Sequence, residues 1–279
     1  MTDPRVSVIV PVRDAGRDLA RALRSVRAQR VSDYEIVVAD DGSCDPATLA
    51  AIAAAARRPE VRVVRHDTPR GPAAARNLAV AHARAPLLLP LDADDWLAPE
   101  FLRRTLAVLE AAPAVDVVHT WVGLAGSHRG VWRTGPLALP ALLARCTVHV
   151  TALLRRSVWD RVGGWDERFR EGAEDWDFWI AAAASGTQAV VVPEILCHYW
   201  RGSQSRERRA RAPGTSRRLV RQLVTKHRAL YLAHLDDVIP LLYEEYARVC
   251  DSLERMYAHP GFRAALRLRE LFRSLGPHA

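Results

Sequence analysis

The sequence has no Cys-x-x-C pair. Its four cysteines, Cys44, Cys146, Cys197 and Cys250, lie far apart. That pattern gives no basis for a zinc ribbon or a redox pair, and reduced thiols are expected in a chain of this length. Long apolar runs are missing as well. The stretch Val6–Val12 is too short for a signal peptide and contains Pro11. Nothing approaches the roughly 20 apolar residues that cross a bilayer, so a cytoplasmic protein without a transmembrane segment is expected. A glycine-rich phosphate loop is also absent after the first apolar stretch, where the residues read Pro11-Val12-Arg13-Asp14-Ala15-Gly16. Net charge is lacking over most of the chain. Residues 1–200 hold 24 Lys+Arg and 24 Asp+Glu, whereas residues 201–279 hold 16 and 8 and so carry the whole net charge of +8. A neutral body with a basic tail suits either solvated helix faces or an anionic partner such as a phosphate, an acidic acceptor or a membrane surface.

What is present is a full complement of core-forming residues. Apolar types make up 49% of 279 residues, enough for one large domain or for a domain with an appendage. Val6–Val12 reads as a buried strand, and Leu19, Ala22, Leu23 and Val26 recur behind it at helical spacing. Tyr34–Asp40 is a second strand. Asp45-Pro46 opens a helix, with Asp as N-cap and Pro in the first helical position. Val61–Arg65 is a third strand, 72–85 an Ala-rich helix, 87–91 a fourth strand, 99–112 a helix and 115–121 a strand. Strands alternating with helices imply βαβ units and a mainly parallel sheet. The second half predicts a helix at 137–145, a strand at 148–154, a helix at 174–185 closed by Gly186, and a short strand at 188–192. Residues 201–214 read as an Arg-rich loop, followed by two or three helices.

In such sheets ligands bind outside the carboxyl ends of the strands. Two acidic groups fall at those ends. Asp92-Ala93-Asp94-Asp95 follows the fourth strand, and a dense set of carboxylates suits Mg²⁺ or Mn²⁺ while leaving positions open for a diphosphate. The competing reading is capping of the next helix. Asp40-Asp41-Gly42-Ser43 follows the second strand and could accept hydrogen bonds from a base or ribose, although many α/β proteins end a strand this way. Arg76, one turn into the Ala-rich helix, could hold a base carbonyl or a phosphate, or lie on a helix surface. Gly163-Gly164-Trp165-Asp166-Glu167 precedes Glu174-Asp175-Trp176. There a carboxylate between indoles could act as a general base, or simply complement the helix dipole.

In this order the clusters resemble the family 2 glycosyltransferases of GT-A fold, over roughly residues 5–205. The resemblance implies an α/β, GT-A, Rossmann-like mainly parallel sheet flanked by helices. It divides the chain into a nucleotide-sugar-binding and catalytic domain (1–205) and a basic, helical C-terminal extension (206–279). It implies an inverting, metal-dependent enzyme moving a sugar from a nucleotide-diphosphate donor, expected to be a UDP-sugar with dTDP- and GDP-sugars left open, to an acceptor hydroxyl on a sugar or small molecule. Membrane-embedded, polymer-extruding relatives are set aside by the missing apolar spans. Pro11 and Val12 would border the base. Asp41 would face uracil, and Arg76 would neighbour the base and phosphates. Asp92 and Ala93 would lie on the ribose side, and Asp94 would ligate Mn²⁺ or Mg²⁺. Asp175 matches the catalytic base. Trp165, Asp166, Glu174 and Trp176 would line the sugar and acceptor pocket. Relatives often carry a metal-reaching His after the last strand. Here Trp200 takes that place, and His198 is not expected as a ligand. No nucleic-acid partner is expected. Peripheral membrane contact through the basic tail, a lid formed by residues 201–228, and a homodimer through the C-terminal helices are open possibilities. The alternatives are a nucleotidyltransferase, disfavoured by the missing glycine loop, and a catalytically silent nucleotide-sugar-binding protein.

Overall fold

The computed structural model describes residues 3–127, 129–202, 210 and 212–274, apart from the side chains of 269–274. The first half alternates as its pattern predicts. It runs β1 (Val6–Val12), α1 (Arg17–Arg27), β2 (Tyr34–Asp40), α2 (Pro46–Ala56), β3 (Val61–Arg65), α3 (Pro72–His82), β4 (Leu87–Pro90) and, after a two-residue strand β5 (Trp96–Leu97), α4 (Phe101–Ala111). The Asp45 carboxylate caps α2, accepting the Thr48 N–H at 2.8 Å with Pro46 in the first turn. The rest is β6 (Val117–Gly126), β7 (Gly130–Trp132), α5 (Leu139–Ala144), β8 (Leu153–Arg155), α6 (Arg156–Val162), α7 (Glu174–Ala184) and β9 (Ala189–Arg201). Helices α8 (Pro213–Lys226), α9 (Arg228–Ala233), α10 (Leu235–Ala258) and α11 (Pro260–Ser274) follow. No helix among the described residues is long and apolar enough to cross a membrane.

The sheet runs β3-β2-β1-β4-β8-β6-β9-β5, with β7 on β6. Parallel pairing holds from β3 through β4, as expected from the βαβ spacing. Beyond β4 the sheet is mixed: β8 is antiparallel to both β4 and β6, while β9 runs parallel to β6 and antiparallel to β5. The strand expected at 188–192 extends to Arg201, carried across a register irregularity near Trp121.

Strand side chains alternate between faces, so the continuous apolar strands feed two cores. Val8, Val10, Ile36, Val38 and Leu89 pack with α1, α2 and α4 on one face. Ile9, Val37, Ala39 and Leu88 pack with α3, α5 and α7 on the other. This second core also takes Leu219 and Leu223 of α8 and Val238 of α10. The loop expected at 201–214 lies largely outside the described residues, and the helices after it share the body's packing.

One core polar residue sets a pH limit. His119 on β6 is fully buried, its Nδ1 lying 3.1 Å from Thr134 Oγ1. Burial alone holds its pKa down to about 4. An unfolded His takes up its proton near pH 6.5, so on acidification the unfolded chain is protonated first. The stability gained from the neutral ring is complete above about pH 6.5 and is lost on descending towards about pH 4. The expected loss over that window is about 3 kcal/mol. Urea midpoints measured from neutral to acid pH should show this slope in the wild type and a flatter one in His119→Gln. Equal slopes would refute it.

Candidate active site

The strand order gathers the acids. β1 lies between β2 and β4, and all three run parallel. The Asp41 N–H donates to the Val12 carbonyl and the Leu91 N–H to the Ile9 carbonyl, each at 2.9 Å. Asp40-Asp41 and Asp92–Asp95 therefore leave the sheet at one edge, on either side of Pro11 and Val12. Both of these residues are buried at the end of β1.

On the β2 side both carboxylates are engaged. Asp40 accepts the Ser43 N–H at 2.9 Å and pairs with Arg65. Asp41, expected to face a base, accepts the backbone N–H of Arg70 at 2.8 Å and of Gly71 at 2.7 Å, and meets His66 Nδ1 at 2.8 Å. Its carboxylate thus fixes the loop that leads into α3. Gly42 is required here: it has φ +70°, and an added Cβ would lie 3.0 Å from the Pro69 ring.

On the β4 side the acids divide. Asp95 is fully buried and turns inward, accepting the Trp200 N–H at 2.9 Å. Burial, then the charges of Asp94 and Asp92, hold its carboxyl well above the usual carboxylate range. Asp92 and Asp94 stay half-exposed, with the buried Ala93 between them. Arg21 of α1 steadies this turn. Its Nη2 donates to the Asp94 carbonyl at 2.6 Å, and its guanidinium lies 4.5 Å from the Trp96 ring and 5.1 Å from the Trp200 ring. His198 stacks on Trp96 at 5.1 Å. It is packed so closely over β6 that a Cβ on Gly123 would lie 2.7 Å from its Nδ1. Among the described residues no group of three or more His, Cys, Asp or Glu side chains is placed to hold a metal by itself.

Arg76 connects the two halves of the site. It lies on α3, 1% exposed. One Nη donates to Asp92 at 2.5 Å and the other to Glu174 at 2.9 Å. Burial opposes its charge, but Asp92 and Glu174 outweigh that and raise its pKa. The guanidinium is therefore held between two carboxylates. The bridge also sets Glu174-Asp175, the start of α7, beside the acids of β4. Glu174 is buried, whereas Asp175 is half-exposed and accepts the Trp176 N–H at 2.8 Å through Oδ1. Burial, then the Asp175 charge, pushes the neighbouring Cys146 thiol well above its usual value. The Trp176 indole donates to the Leu142 carbonyl at 2.5 Å. Ala173 enters α7 with φ +64°. For an L-residue that conformation costs roughly 1–2 kcal/mol, and it aims the acidic pair.

The Gly-Gly-Trp-Asp-Glu stretch is held from α3. Asn77 accepts the Trp165 N–H at 3.0 Å and donates to the Trp165 carbonyl at 2.8 Å. Gly164 has φ +81°, and a Cβ there would lie 2.8 Å from the Asn77 oxygen. Trp165, expected to line the sugar and acceptor pocket, is 2% exposed and stacks on Phe178 at 4.8 Å. Asp166 pairs with Arg168 and Lys226, and these bonds, Arg168 first, hold its carboxyl below the usual carboxylate range.

Three contributors were not singled out from the sequence. Asp177, buried on α7, takes Lys226 Nζ at 2.7 Å and His227 Nε2 at 2.8 Å, and so ties the end of α8 to the site. Asn77 of α3 and Arg21 of α1 are the other two. The available signals were Asn in the middle of an Ala-rich helix upstream of a Gly-Gly turn, and adjacent Lys-His at a helix end.

The sequence profile described as Glycosyl transferase family 2 matches residues 7–200. The chain is 31% identical over 215 residues to the succinoglycan biosynthesis protein ExoU of Rhizobium meliloti, covering 67% of this chain and 59% of that protein. It is 32% identical over 224 residues to the succinoglycan biosynthesis protein ExoO of the same organism, covering 73% and 63%. In each case the chain spans less than two thirds of the relative's length. Among solved structures, S. aureus TarS 1–349 in complex with UDP-GlcNAc aligns with a TM-score of 0.67 and 21% identity, over 79% of this chain and 66% of that one. The mannosyltransferase PcManGT from Pyrobaculum calidifontis, in complex with GDP-Man and Mn2+, aligns at 0.59 and 20%, over 95% and 83%. These likenesses show a shared GT-A architecture. The profile match begins in β1 and ends in β9, so it takes in every acid gathered at this edge, and the chain belongs to glycosyl transferase family 2.

Proposed function

We propose that the protein transfers a sugar from a nucleoside-diphosphate sugar, with UDP as the nucleotide, to an acceptor hydroxyl with inversion at the anomeric carbon. The observation that supports this reading is the Arg76 bridge, in which one buried cation joins Asp92 to Glu174, the neighbour of Asp175 in the sequence. The TarS likeness, bound to UDP-GlcNAc, favours the uridine donor.

Pro11, Val12 and Asp41 border the base, Asp41 by fixing the loop over which the nucleotide lies. Asp92 and Ala93 lie on the ribose side. Asp92 and Asp94 offer hard oxygen donors, and Mg²⁺-type ions are commonly held by one or two carboxylates plus substrate phosphates and water. These residues therefore fit Mn²⁺ or Mg²⁺ completed by the donor. The ion supplies charge neutralisation for the departing diphosphate. Asp175 takes the proton from the acceptor hydroxyl as its oxygen bonds to the anomeric carbon. The bond from that carbon to the diphosphate oxygen breaks on the opposite face and its electron pair leaves with the nucleoside diphosphate. Trp176, Glu174 and Asp166 shape the acceptor side.

Release of nucleoside diphosphate from a panel of UDP-, dTDP- and GDP-sugars with Mn²⁺ tests the reading. UDP release is expected, and none from any donor would overturn it. Asp94→Ala is expected to weaken donor binding and to lower turnover by about 100-fold or more, matching the several kcal/mol that an ion supplies. It should also abolish the response to added Mn²⁺. Full wild-type activity in EDTA would defeat the metal role.

A further inference from the structure

Helix α10 leaves the body after its first turns. Val238 is buried in the second core, but from Tyr246 to Ala258 every residue except the half-buried Cys250 is exposed. At 1.5 Å per residue its 24 residues span about 36 Å. Most helical stability in proteins comes from packing of an apolar face.

Its apolar residues follow one pattern. Leu235, Leu242, Val249 and Met256 recur every seventh residue, and Ile239, Tyr246 and Leu253 form a second sevenfold series. The two series interleave at spacings of four and three, the a/d repeat of a coiled coil. All seven side chains are 40–66% exposed. We infer that this seam docks against α10 of a second copy of the chain, in antiparallel orientation.

Three observations favour that occupant. The first is register. Antiparallel pairing about the middle of the helix sets Ile239 against Met256, Leu242 against Leu253 and Tyr246 against Val249, so the seam is complementary to itself. The second is charge. Residues 235–245 hold Asp236, Asp237, Glu244 and Glu245 with no base, while residues 246–258 balance Asp251 and Glu254 with Arg248 and Arg255. Antiparallel pairing sets the acidic half against the neutral half and opposes the helix dipoles. A parallel pair would stack like charge on like charge. The helix's net excess of four acids also disfavours an anionic membrane surface. The third is area. A specific interface needs about 800 Å² from each partner. With Tyr243 and Tyr257 flanking the seam, 72% and 55% exposed, the eight apolar side chains that fall within this register would each supply about 100 Å²; three of them are tyrosines, and one aromatic can bury roughly 150–250 Å².

Sedimentation of the full chain at micromolar concentration tests this. A dimer is expected. The double variant Leu242→Glu/Leu253→Glu should weaken self-association by more than about 100-fold while binding UDP-sugar as the wild type does. Orientation is read separately. Ile239→Cys/Met256→Cys should cross-link on oxidation beyond the level of the wild type's own cysteines, and neither single variant should. A monomeric wild type, a double-Glu variant that still dimerises, or a monomer that floats with phosphatidylglycerol vesicles through this seam would each overturn the inference. Cross-linking of the single variants would overturn the orientation.

Discussion

Replacing Asp175 with Asn is expected to lower sugar transfer by about 10²–10⁴-fold, the range of a positioned general base, while donor affinity stays at the wild-type level. The amide has the carboxylate's shape, and its oxygen can still accept the Trp176 N–H that orients the native side chain. The start of α7 therefore keeps its geometry and loses only the proton acceptor. The half-exposed position of Asp175 supports this division, because a base must meet an incoming hydroxyl. Its neighbour Glu174 is enclosed and committed to Arg76. The measurement is single-turnover transfer beside calorimetric donor titration. Near wild-type turnover in Asp175→Asn would remove the base from this residue.

Arg76→Met should instead act through folding. The substitution leaves Glu174 buried with its cationic partner gone, and breaking a buried pair on one side costs about 3–5 kcal/mol. Asp92 would lose the same guanidinium, so donor binding should fall as well. Urea denaturation gives the first effect. The double variant Arg76→Met/Glu174→Gln should recover part of the loss, because it no longer encloses the carboxylate charge that Arg76 balanced. A single variant as stable as the wild type would show that the bridge contributes nothing to the fold.

The parallel half of the sheet was legible because its strands are continuous apolar runs, and because Asp45-Pro46 and the Ala-rich α3 mark helix starts by local chemistry. The acids at the ends of β2 and β4 followed from that reading. What could not be read depends on distant partners. Asp92, Asp94 and Asp95 form one run in the sequence, yet Asp95 turns inward because the Trp200 N–H, brought by β9, awaits it. Trp165 packs on Phe178, and Asn77 draws its backbone towards α3, contacts that no local pattern announces. The end of β9 was missed because Pro193 and Glu194 interrupt its alternation. The short elements β5, β7 and α6 hold too few residues for any period to show.

The attachment of α8 bears on how the catalytic body can be isolated. Lys226 and His227 converge on Asp177 while Leu219, Leu223 and Val238 fill the second core. A fragment ending near residue 205 would open that apolar layer to solvent and strip the cations from an acid two positions past Asp175. A piece that keeps this layer closed includes Val238, and a truncation made at the end of the sheet is expected to lower stability, which urea denaturation beside the full chain would check.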